Sequence, residues 1–172
     1  MTRRLFIVVA VLAVTSGPVL LGQTNPSIQG VWRAIEVTIT NPTPPRGNTH
    51  PKGVHTNLQP ELLIFTAKHY SLMADLAVEP RPTSGGAARG ESTLDELQGR
   101  WGPFHAHAGT YEISADTFTR YIVVAKEPAL QRGKSFVRHS IKLNGDNLWL
   151  TQVETSAGKT VNPVTIKYVR VE

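Results

Sequence analysis

The chain has 172 residues, 40% of them hydrophobic, with a formal charge of +5 and no cysteine. That length allows one domain with a sizeable core. The missing cysteine excludes a disulfide framework and a thiolate metal site, and the cations are scattered instead of clustered into the basic face that nucleic-acid binding needs.

Met1-Thr2-Arg3-Arg4 is a short basic segment, Leu5 to Val14 is an apolar run of ten residues, and Thr15-Ser16-Gly17-Pro18 breaks the helix. This is the order of a secretory signal peptide. Ten residues fall short of the roughly 20 that span a bilayer. Cleavage after Gly22 makes residues 1–22 the leader and 23–172 the mature domain, exported to a periplasm or secreted, with no integral span left. An uncleaved anchor running on through Leu21 is the alternative. Without a cysteine at the cut, a lipid-anchored lipoprotein is excluded.

Gln29 to Thr40 is rich in β-branched residues and reads as a strand. Asn41 to Pro60 is proline-rich and irregular, and a long loop of this kind suits a lid. Glu61 to Ala74 divides into two strands near Ala67-Lys68, and Pro80 to Gly90 is a loop. Thr93 and Glu96 then form a capping-box pattern, opening a short helix that carries Leu94, Leu97 and Trp101 on one face and ends near Gly99. From Ala108 the chain is a run of strands: AGTYEIS, TFTRYIVVA, SFVRHSIKL, NLWLTQVE and PVTIKYVRVE. Asn144-Gly145 is a strong hairpin signal. The links are too short for parallel crossovers. The expected fold is therefore all-β, an eight-stranded antiparallel up-and-down barrel with one short helix, and a two-sheet sandwich is the competitor.

Two features carry a family resemblance. Gly30-Val31-Trp32 is a G-x-W at the start of the first strand, and Arg170 lies near the end of the last. Stacked at the seam of a closed barrel, Trp32 and Arg170 would plug one end, and this pairing resembles the lipocalin signature. The segment Ala108-Gly109-Thr110-Tyr111-Glu112, with Pro128, Gly133, Arg138 and the run Leu143 to Leu148, is similar to the bacterial lipocalin-like domain family. The resemblance implies a small barrel with an internal pocket, and no catalytic motif is available to transfer.

Period-two alternation from an inward Trp32 sends Ala34, Glu36 and Thr38 inward. Either a bulge after Trp32 resets the count or the interior is partly polar. His139 alternates with Val137, Ile141 and Leu143 and is expected on the apolar face. Tyr70 joins Glu36 and His139 as a polar anchor for a ligand. The expected apolar lining is Leu62, Ile64, Leu72, Ile122, Val124, Val137, Ile141 and Ile166. His105-Ala106-His107 hints at zinc, but H-x-H is weak without a third ligand, and no metal or other cofactor is expected. No nucleophile-elbow, P-loop or dinucleotide motif is present. The resulting expectation is an exported barrel binding a small, largely apolar molecule, with no assigned catalytic residue. A barrel enzyme (cyclase, isomerase or hydro-lyase) using Glu36 and His139 is the first alternative, and a filled-core interaction module the second.

Overall fold

A computed structural model describes residues 27–40, 50–83, 92–131 and 135–172, so the leader expected over residues 1–22 lies outside the described residues. The strands are β1 (Gly30–Ile39), β2 (Gly53–His55), β3 (Glu61–Phe65), β4 (His69–Asp75), β5 (Phe104–Ser114), β6 (Thr117–Ala125), β7 (Phe136–Asn144), β8 (Asn147–Thr155), β9 (Gly158–Lys159) and β10 (Val164–Arg170), with helix α1 (Leu94–Trp101) before β5. Eight of them, all but the short β2 and β9, pair antiparallel in a ring. β10 closes the ring by pairing with β8 on one side and β1 on the other. The barrel is therefore closed, and the sandwich alternative falls.

Trp32 and Ala34 point inward, and so do Val37 and Ile39, because a bulge between Ala34 and Glu36 inserts one residue into the β1–β10 ladder. That bulge resolves the alternation conflict in favour of a reset. In β3 the inward residues are Glu61, Leu63 and Phe65. This corrects the expectation that Leu62 and Ile64 line the interior; Leu62 is exposed on the outer face. In β6, Phe118, Arg120 and Ile122 share the inward parity. A second bulge, with register shifting between Ala108 and Gly109, then turns Val124 outward.

Two glycines are set by close approach. Gly30 has φ of +127°, and a Cβ there would lie 2.2 Å from the Glu172 carbonyl oxygen. A Cβ on Gly109 would lie 1.9 Å from the Tyr121 carbonyl oxygen, at the bulge. The glycines of the G-x-W and G-T-Y segments thus answer to backbone crowding that no side chain could enter.

One half of the barrel is filled. Ile28, Trp32, Ala34, Leu63, Phe65, Tyr70, Leu72, Phe118, Leu148, Leu150 and Tyr168 form a single buried cluster, with Phe65 edge-on to both Tyr111 and Phe118. The Arg170 guanidinium lies 4.2 Å from the Trp32 ring centre, and the Trp32 indole N–H donates to the Ile28 carbonyl at 2.7 Å. Helix α1 has both arms of the capping box at Thr93 and Glu96 and runs to Trp101, two residues past the expected end. Its apolar residues Leu94, Leu97 and Trp101 are exposed and contribute nothing to the core. Among the described residues no helix is long and apolar enough to cross a membrane.

Candidate functional site

The filled core leaves the opposite half of the barrel hollow. A cavity of about 200 Å³ is lined there by residues of β3, β4, β5, β6, β7, β8 and β10. Its apolar wall comes from Leu72, Ala74, Leu76, Leu150, Val164 and Ile166. Its polar groups are Glu61, His105, His107, Arg120, His139, Gln152, Asn162 and Tyr168. An engineered cavity of about 150 Å³ holds benzene, so this space suits a molecule of one or two rings or a short chain.

Residues 50–60 pass over this end. β2 pairs with Val37–Ile39 of β1. His50 and Leu58 then enclose a smaller cavity of about 40 Å³ that shares Glu61, Leu76, Val164 and Ile166 with the larger one. Residues 41–49, the rest of the expected lid, lie outside the described residues.

The polar groups have strongly altered acid–base behaviour, chiefly from burial. Desolvation pushes the His107 imidazole down to about 3, with the nearby Arg120 and His105 adding to the shift. His139 is lowered well below the ordinary value by burial and then by Arg120 and His107, with the Val137 backbone opposing. Burial also lowers His105. Glu61 moves the other way: desolvation raises its pKa, against the opposing effects of the Tyr168 hydrogen bond and the Arg120 charge. The Tyr168 hydroxyl donates to Glu61 Oε1, and Tyr70 O–H and His107 Nδ1 share a hydrogen bond of 3.1 Å. Tyr70 is itself pushed up to about 12 by burial.

The residues expected to form the site are only partly brought together. His139 lines the cavity, and its Nδ1 is buried without a hydrogen-bond partner. Tyr70 sits one step behind the wall, in the core cluster, reaching the cavity through His107. The expectation for Glu36 is not met. The β1 bulge takes it off the inward face, and it stands in register with Lys167, whose ammonium lies 5.3 Å from the Trp149 ring centre. His105 and His107 do share a face of β5, but no third ligand joins them among the described residues.

Four polar cavity residues escaped the sequence reading: Glu61, Arg120, Gln152 and Asn162. A signal existed for Arg120, because it stands two residues from both Phe118 and Ile122 on one strand and so shares their face. Comparison with protein-family models finds no match, and comparison with curated proteins finds none either.

Proposed function

We propose that the chain is an exported, lipocalin-like barrel that binds a small, largely apolar molecule in the half-barrel cavity. The observation that carries this reading is the division of the interior: a packed, plugged half beside a hollow half in which an apolar wall faces a set of convergent polar groups. That combination is the usual make-up of a small-molecule site. A filled-core interaction protein would have no use for a hollow lined by buried histidines, each of which costs free energy to keep dehydrated.

Naphthol, a small neutral fluorophore, should bind with a stoichiometry near one. His139→Phe, which preserves ring shape but removes the polar atoms, should shift its affinity by roughly three- to tenfold, in line with about one hydrogen bond, while the melting curve stays cooperative. Absence of saturable binding to the mature protein would defeat the reading. Export is tested separately. N-terminal sequencing of the protein from the periplasm or medium should begin near Gln23, and an intact Met1 in the membrane fraction would favour the anchor.

A further inference from the structure

Among the described residues Arg120 is the one arginine or lysine that lines the cavity. It projects from the middle of β6 between Phe118 and Ile122, both buried. Its charge is felt by Glu61, Tyr70, His105, His107, His139 and Tyr168, which places it centrally among the polar groups. It is nonetheless unpaired. Its Nε is buried without a hydrogen-bond partner, and the ion pairs among the described residues do not include it. Its close ring contact is a loose one, 5.9 Å to the centre of Tyr70.

A guanidinium is a permanent cation, and dehydrating one without a counter-charge is expensive. Among the described residues no carboxylate forms an ion pair with Arg120. Glu61 is the only carboxylate lining the cavity among the described residues, and its Oε1 is engaged by Tyr168. Burial also drives Glu61 toward its neutral form and holds the three histidines away from theirs as cations. One positive charge therefore stands without an ion-pair partner between the apolar wall and the other polar groups of the cavity.

Resting on the binding function above, we infer that the ligand is a small monoanionic acid, its carboxylate held by the forked N–H donors of Arg120 and its apolar body lying against Leu72, Leu150, Val164 and Ile166. A single cation balances a single negative charge, which favours a monocarboxylate over a phosphate dianion. The planar fork of the guanidinium also matches a carboxylate in two parallel hydrogen bonds.

The test compares naphthoate with naphthamide, which share shape and differ in charge, by titration calorimetry on the mature protein. Naphthoate should bind at least about tenfold more tightly. Arg120→Met should bring naphthoate down to the level of naphthamide and leave naphthamide within about twofold. Arg120→Met should also melt at a higher temperature than the unliganded wild type, because a partly buried charge with no ion-pair partner has been removed. Equal affinity of the wild type for the two probes would overturn the acid assignment while leaving the cavity's binding function intact. Binding of neither would overturn both. Should Arg120→Met fail to fold, the wild-type comparison of the two probes decides alone.

Discussion

Below pH 6.5 the barrel should lose stability at about 1.4 kcal/mol per pH unit for each cavity histidine that stays neutral in the fold. A histidine with a depressed folded pKa takes up its proton first in the unfolded chain. Its contribution is therefore intact above the ordinary value of 6.5 and falls with acidity until the folded value is reached, about 3 for His107. His139, also lowered well below 6.5, acts in the same direction. His107 alone would remove about 2 kcal/mol between pH 6.5 and 4.5, and His139 adds to that loss. Glu61 works against this. Its raised pKa gives stability that is fully present below the ordinary 4.5 and lost as pH rises through the folded value, so it offsets part of the histidine loss. Single variants separate the two effects. In urea unfolding at a series of pH values, His107→Gln should flatten the acid limb by about 1.4 kcal/mol per unit, and Glu61→Gln should steepen it. Curves for His107→Gln and wild type that run parallel below pH 6.5 would show that the imidazole is not held neutral.

The strands that form the barrel were legible because most of them alternate, and because Asn144-Gly145 and the Thr93–Glu96 box are local signals that tertiary contacts did not override. The site was far less legible, for reasons that differ from residue to residue. Leu62-Leu63-Ile64-Phe65 is continuously apolar, so it carries no parity, and choosing the wrong face hid Glu61 along with it. Glu36 was misplaced by a single inserted residue in β1, which no periodicity can announce. His105 and His107 follow Gly102-Pro103, a sequence that reads as loop, yet β5 begins at Phe104 and carries both into the cavity. Arg120 was overlooked on its chemistry, since an arginine on a strand is ordinarily outside. Its position between Phe118 and Ile122 contradicts that habit. Alternation settles faces wherever no bulge intervenes, whereas the inward polar residues sit where alternation and polarity disagree, and such disagreements cluster at functional sites.

Arg170→Ala should cost about 2–4 kcal/mol, far more than an average surface change. The guanidinium stacks 4.2 Å from the centre of the Trp32 ring, donates to the Ser27 carbonyl at 2.6 Å and donates to the Gln29 carbonyl. Its contact with Asp146, at 3.3 Å and largely exposed, adds little. Trp32 is directly opposite Arg170 in the β1–β10 ladder, is fully buried, and is fixed by the bond from its indole N–H to Ile28. Trp32→Ala should therefore cost about 3–5 kcal/mol. The proper bystander is Arg33→Ala, next to Trp32 but exposed, at within about 0.5 kcal/mol. Arg138, outward-facing on β7, is a poor control because it is bound to Glu154 and lies 5.4 Å from the Phe136 ring centre. A double-mutant cycle on Trp32 and Arg170 should return a coupling of about 1 kcal/mol or more if the stack itself joins the first strand to the last. Additive losses would reassign the effect of Arg170 to its hydrogen bonds with the residues preceding β1. In either case the loss should fall on the plugged end, so naphthol binding at the hollow end should survive in any Arg170→Ala protein that remains folded.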